Sequence, residues 1–327
     1  MYRPSAPLAT GALVALLLTM PLAWGQGVGS ARVGYLTLYE ADALAPVRSA
    51  LVGRLAELGW REGRNLVFDP VHAFGKSTDL ERQANVLAQR APQVIVASGI
   101  SAVLAAKRAA PATPIVIAGA SDPMAFGLVA SLGRPGGNVT GVADTPGREL
   151  EGKRLQLLKE IVPGAMRVAV ILDSAGRRDP AAIAEAAKAL GLALSLSPET
   201  VAGDDFRRSF AMLKRGGAQA VYAPETPANA EHRDLIISLA IEHRLPVMYG
   251  AREFVEAGGL VAYGPSYIEL HRRAAEYVDR ILRGAKPESL PVEQPTRLEL
   301  SVNLKAAAAI GLTVPAAVLL RADHLQQ

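Results

Sequence analysis

PIVIAGASDPMAFGLVASLGRPGGNVTGV, residues 114–142, sets the reading of the whole chain. Pro114 opens the apolar run Ile115–Ala118, short and β-branched, as in a buried strand of a parallel sheet. The run breaks at Gly119-Ala120-Ser121. Asp122-Pro123 then reads as a helix start, because Asp is a strong N-cap and Pro suits the first helical position. GRPGGN is a turn cluster, and Asn138 to Val142 reads as the next strand. In open α/β sheets, ligands bind beyond the carboxyl ends of strands, where helix N-termini leave backbone N–H groups unpaired. Ser121 and Asp122 therefore become candidate binding residues. The pattern recurs, with Asp179-Pro180 after Val168–Leu172 and Thr226-Pro227 after Ala220–Ala223.

The alternation extends both ways. Val33–Leu38, Leu66–Phe68 and Gln93–Ala97 read as strands, each followed by a helical pattern; Thr78 and Glu81 form a capping box for one of those helices. Glu149 to Val162 reads as a helix closed by Pro163-Gly164. A second array follows: strands at Val168–Leu172, Leu192–Leu194, Ala220–Ala223, Pro246–Tyr249 and Gly259–Tyr263, with helices at 179–190, 205–215 and 228–244 between them. Ser266 and Glu269 read as a capping box for a long helix to Arg283. Leu298–Val302 reads as an edge strand, and Leu304 to Ile310 and Ala316 to Arg321 as closing helices. Strand-then-helix repeats require parallel sheets. The expected fold is α/β: two doubly wound parallel-sheet lobes with an interlobe cleft. The expected lobes are 28–143 plus 265–290, and 146–263 plus 293–327. The chain would cross between them at Ala143–Pro146, Gly264-Pro265 and Leu290–Pro295.

The chain has 327 residues, 50% hydrophobic but only 5% aromatic, so its cores must be built from Ala, Val, Leu and Ile. It contains no cysteine, which excludes disulfides and thiol chemistry. A net charge of +4, dispersed along the chain, gives no footprint for nucleic acid. Leu8 to Trp24 is a short apolar run, and Ala23-Trp24-Gly25 offers small residues at a cleavage site, so Met1–Gly25 reads as an export signal peptide. No later stretch is apolar enough to span a bilayer.

Enzyme chemistry finds little support. No strand leads into G-x-G-x-x-G or a P-loop, and no G-x-S-x-G elbow occurs. His72, His232, His243, His271 and His324 form no metal-ligand pattern, and ordinary surface or half-buried roles are expected for most of them. No catalytic residue, metal site or cofactor is expected. Concave geometry with polar strand ends suits binding.

At the level of motifs, the chain resembles the type I periplasmic solute-binding proteins of ABC transporters, in the subfamily with tryptophan- and tyrosine-binding members. The matching segments are ELGWREGRNLVFD (57–69), PQVIVASG (92–99), the opening stretch, KRLQLLKEIVPGAMRVAVILD (153–173), EHRLPVMYGAREFVEAGGLVAYG (242–264) and QPTRLELSVNLKAAAAIGLTVP (294–315). The resemblance implies export to the periplasm, closure of two lobes on a small organic solute, and delivery to an ABC permease at the inner membrane by a monomeric receptor. Many members carry a lipid-anchoring Cys or a twin-arginine leader; this chain has neither. By position, the cleft would be lined by Tyr39, Ser98, Ile100, Ser101, Ser121, Asp122, Asp173, Ser174, Glu225, Thr226, Tyr249 and Glu253. Asp173 or Glu225 would meet an ammonium group, helix N–H groups near Ser121 a carboxylate, and Tyr39 and Tyr249 an aromatic ring. Arg252 is a further candidate for a carboxylate. The competing functions are a periplasmic sensor for a membrane kinase and an α/β enzyme.

Overall fold

The computed structural model describes residues 30–38, 45–73, 76–145, 149–171, 180–198 and 203–327. The predicted signal peptide, Tyr39, Asp173, Ser174 and the Asp179 cap lie outside these residues. The first sheet holds β1 (Ala31–Thr37), β2 (Leu66–His72), β3 (Val94–Ser98), β4 (Ile115–Ala118) and β5 (Val139–Val142), in the order β2-β1-β3-β4-β5. Every pair in it is parallel. Its crossovers are the helices α1 (Ala45–Glu57), α2 (Ser77–Gln89) and α3 (Ile100–Ala109). Strand alternation divides the apolar side chains between two faces. Ile95, Ala97, Ile115 and Ile117 pack on one side against α2 and α3 residues. Val94, Val96, Val116 and Ala118 pack on the other against α1.

After α4 (Glu149–Ile161) the pattern repeats with β6 (Arg167–Val170), α5 (Pro180–Ala189), β7 (Ala193–Leu196), α6 (Gly203–Arg215) and β8 (Ala220–Ala223). Then come α7 (Pro227–Glu231), α8 (Arg233–Glu242), β9 (Val247–Tyr249), α9 (Arg252–Glu256) and β10 (Val261–Pro265). The chain next returns to the first sheet. Leu270, Ala274, Tyr277 and Val278 of α10 (Tyr267–Leu282) join the core beneath β4. It ends in the second sheet with β11 (Leu298–Asn303), α11 (Leu304–Ala309), α12 (Ala316–Leu319) and β12 (His324–Gln326), in the order β12-β11-β10-β9-β8-β6-β7. That sheet is parallel except for the antiparallel β10–β11 pair. The two segments flanking the lobe junction lie side by side: Ala143 N–H donates to Glu293 O (2.8 Å), and Glu293 N–H to Gly141 O (2.9 Å).

Several local expectations give way to the structure. Asp122-Pro123 starts no helix. Asp122 sits at φ 39°, in the left-handed region, and a residue before proline is disfavoured from the helical one. Residues 123–127 form turns instead. The Thr78–Glu81 box is absent because α2 begins two residues earlier, behind Lys76 as N-cap, and Glu81 pairs with Arg108. Ser266 occupies the N-cap of α10 but makes no capping hydrogen bond. The predicted helix over 228–244 divides at His232 into α7 and α8. β11 is not an edge strand, since β12 adds outside it.

Arg154 of α4 ties the second lobe together from within. It is 2% exposed, and donates to Tyr263 O (2.7 Å), Tyr222 Oη (2.9 Å) and Gly250 O (3.1 Å), with Glu151 3.5 Å away. Tyr222 in turn donates to Glu151. The approach is tight: a Cβ on Gly264 would stand 2.0 Å from Gly250 O, so only glycine fits there. Arg154→Ala removes the cation beside the buried Glu151 carboxylate and is expected to cost ~3–5 kcal/mol in denaturant unfolding; a loss below ~1 kcal/mol would refute this tie.

Candidate functional site

The carboxyl ends of the two sheets face each other across a cavity that is open to solvent. On the first-lobe side it is built from the end of β3 and the start of α3. Ser98 closes the strand, and Gly99 makes the corner at φ 86° and ψ 151°, a conformation essentially reserved for glycine. Ile100, Ser101 and Ala102 then form the first turn of α3 at the cavity wall. The first intrahelical bond runs from Val103 N–H to Gly99 O (3.1 Å), so the N–H groups before it are the ones a helix leaves for outside acceptors. The positive end of the α3 dipole lies at the same place.

Ser121, from the end of β4, and Asp144, just past β5, complete this wall with Leu38. Asp144 is 7% exposed and its carboxylate gathers hydroxyl donors. Oδ2 accepts from Ser121 Oγ (3.3 Å) and Tyr267 Oη (3.1 Å), and Oδ1 from Thr145 Oγ1 (2.8 Å). Tyr267, at the start of α10, lines the cavity as well. The second lobe contributes Glu225, Thr226 and Ala230. Thr226 caps α7 by accepting from Asn229 N–H (3.3 Å), and Asn229 Nδ2 donates to Pro224 O (2.7 Å), which holds the β8–α7 corner. Among the described residues no Lys or Arg lines the cavity. Among the described residues, its polar equipment is thus two carboxylates, a set of hydroxyls and the N-terminus of α3, set in apolar walls.

Of the candidate residues, Ser98, Ile100, Ser101, Ser121, Glu225 and Thr226 line this cavity. Asp122 does not. Its side chain is turned back to accept from Ala125 N–H (3.1 Å), within its own exposed turn. Tyr249 is fully buried in the second-lobe core, stacked on Phe254 at 4.8 Å, because alternation along β9 turns it to the face covered by α8 and α9. Its hydroxyl has no hydrogen-bond partner among the described residues, and burial raises its pKa. Glu253 and Arg252 lie on α9, an element absent from the sequence reading. They line a separate groove with Val47, Ser266 and Ile268, and Arg252 pairs with Glu256 (2.8 Å). Asp144 and Tyr267 are the residues that sequence reasoning missed. Asp144 follows a strand just as Ser121 does, so the strand-end rule was enough to find it. Nothing local marks Tyr267, which arrives from the far end of the chain.

Two sheets opening onto one polar crevice define a two-lobed ligand-binding protein. The chain belongs to the ABC transporter substrate binding protein family, whose model matches residues 32–326. Among curated proteins, it is similar to a tyrosine-binding protein of Clostridioides difficile, 23% identical over 83% of this chain and 78% of that one. Among solved structures, a conserved domain protein from Vibrio cholerae is 28% identical with a TM-score of 0.81, covering 91% of this chain and 100% of that one. An ABC domain from Streptococcus pneumonia in complex with L-Trp has the same fold, with 22% identity, a TM-score of 0.81, and the same coverages. A ligand-free, open substrate binding protein from Clostridium difficile is 25% identical with a TM-score of 0.67, over 91% of this chain and 99% of that one.

The buried Glu253 carboxyl yields a pH prediction. Burial pushes it from its ordinary 4.5 up to about 7, against a smaller pull from its own backbone N–H, and Glu256 adds to the push. A carboxyl raised in the folded state holds its proton there when the unfolded chain has lost it. Stability is therefore full below 4.5 and falls as pH rises through about 7. Glu253→Gln is expected to abolish that fall and to be up to ~3 kcal/mol more stable than the parent near pH 8 in urea unfolding. Identical pH profiles for the two proteins would contradict the assignment.

Proposed function

We propose that this chain is the periplasmic solute receptor of an ABC importer, and that it captures an amino acid with an aromatic side chain between its lobes without transforming it. The observation that carries this reading is the pairing, across one cavity, of the Asp144 and Glu225 carboxylates with the N-terminus of α3. That is the complement of a zwitterion. The ammonium group is bound by charge-assisted hydrogen bonds to the carboxylates. The carboxylate is bound by N–H groups of the first turn of α3 and by the Ser101 hydroxyl. This moves the carboxylate site from the Ser121 turn, which starts no helix, to α3, which does. Leu38, Ile100, Ala102, Ala230 and the Tyr267 ring remain for the side chain.

The tyrosine-binding relative and the tryptophan complex support an aromatic side chain. A solute that touches both lobes binds the closed arrangement better than the open one, and so shifts the population toward closure. The closed form would then present a continuous rim to the permease.

L-Tyrosine and L-tryptophan, tested by thermal shift and titration calorimetry, are the direct probes. A binder at 100 times its Kd is expected to add about 2.7 kcal/mol of stability. Asp144→Asn and Glu225→Gln are each expected to weaken it by about tenfold to a hundredfold. Asp122→Asn is expected to leave affinity unchanged. Absence of binding, or steady consumption of the bound compound, would contradict the proposal.

A further inference from the structure

Tyr267 opens α10, at the point where the chain crosses from the second sheet back to the first. Two hollows meet there. One is the solute cavity, and the other is the groove lined by Glu253 and its neighbours on α9. Among the described residues, Tyr267 is the one that lines both. Its ring packs on apolar residues of both lobes, and its hydroxyl donates to Asp144 Oδ2 (3.1 Å) on the cavity side. Gly119, at the end of β4, allows the ring to come close: at φ 83°, a Cβ there would stand 2.8 Å from Tyr267 Cε1. The Tyr267 carbonyl oxygen is engaged too, 2.7 Å from His271 Nδ1. The ring is thus held at its tip, along its side and through its backbone, as a wall between cavity and groove.

The wall has a definite place relative to the solute. Its hydroxyl sits on a carboxylate that takes the ammonium group, so the space behind the ring lies beyond the solute's nitrogen. That space is acidic. Glu253, Glu256 and Glu299 line it, and the one cation lining it among the described residues, Arg252, is paired with Glu256 (2.8 Å). Glu253 Oε2 is buried there without a hydrogen-bond partner, and a buried acceptor of that kind has a place for a donor. We infer that Tyr267 restricts the site to free amino acids: its ring closes the way from the ammonium position into the acidic groove, which would otherwise receive the amino end of a dipeptide. The inference rests on the amino-acid reading above. A peptide link also replaces the three donors of an ammonium with a single amide N–H, so the wall adds to a preference that the cavity's carboxylates already have. With the ring removed, one added residue, about 3.5 Å of chain, is carried toward Glu253 and brings its ammonium to an acceptor.

Calorimetric titration of L-tyrosine and glycyl-L-tyrosine into the wild type, Tyr267→Phe and Tyr267→Ala tests this. The wild type is expected to bind the dipeptide at least about a hundredfold more weakly than the amino acid. Tyr267→Phe loses the hydroxyl but keeps the ring, and is expected to keep that ratio. Tyr267→Ala is expected to weaken L-tyrosine and to bind the dipeptide about tenfold more tightly than the wild type does. Loss of a merely structural residue would weaken both compounds, so a folded Tyr267→Ala with no gain for the dipeptide overturns the inference. A wild type that binds the two compounds alike, or a ratio lost in Tyr267→Phe, overturns it as well. Tyr267→Leu repeats the test should the alanine variant not fold. If the wild type binds neither compound, the amino-acid reading fails, and a crystal structure of the ligand-free Tyr267→Ala or Tyr267→Leu protein decides the wall by itself: one continuous cavity from Asp144 to Glu253 is expected, and two hollows still separate would overturn it.

Discussion

A buried carboxylate needs donors, and the way Asp144 obtains them organises the middle of this molecule. Asp144 stands where the chain leaves the first sheet. It draws in the end of β4 through Ser121, its own neighbour Thr145, and the start of α10 through Tyr267. Residues from two distant points of the chain are thereby pinned to it beside the cavity. Leaving such a group without partners costs several kcal/mol, on the order of ~3–5 for a buried charge. The lobe junction is braced further by Arg273, whose guanidinium makes a forked pair with Glu293 (2.7 and 2.6 Å) where the segment before β11 passes β5.

The same economy runs through the rest of the interior. Arg154 is surrounded by acceptors and spends its charge inside the second lobe rather than on the cavity. Ser121 and Thr145 give their protons to Asp144. The cavity is left with the Asp144 and Glu225 carboxylates on its walls and with unpaired backbone donors at the first turn of α3. A site so divided discriminates between the two ends of a zwitterion, which neither carboxylate would do alone.

Much of this was legible in the sequence because parallel strands announce themselves. Runs such as Val94–Ala97 and Ile115–Ala118 are buried on both faces, and each ends in a polar or glycine corner that marks a strand end. Ser98, Ser121, Glu225 and Thr226 were found by that rule alone. The failures have physical causes. Asp122-Pro123 has the composition of a helix start, but the constraint of the following proline and a left-handed φ make it a turn. Tyr249 follows the same rule as Ser98, yet the pleat sends it into the core. The contact of Tyr35 with His271 and the place of Tyr267 on the cavity wall could not be read at all, since both arise only because α10 recrosses to the first sheet.

The account stands or falls on what occupies the cavity between the lobes, and which way round. A crystal structure of the protein saturated with L-tyrosine measures both. The proposed function predicts the amino acid in the cavity, its nitrogen within hydrogen-bond distance of Asp144 or Glu225, and its carboxylate at the first turn of α3. Density for the ligand elsewhere, or a carboxylate against Asp144, would contradict it.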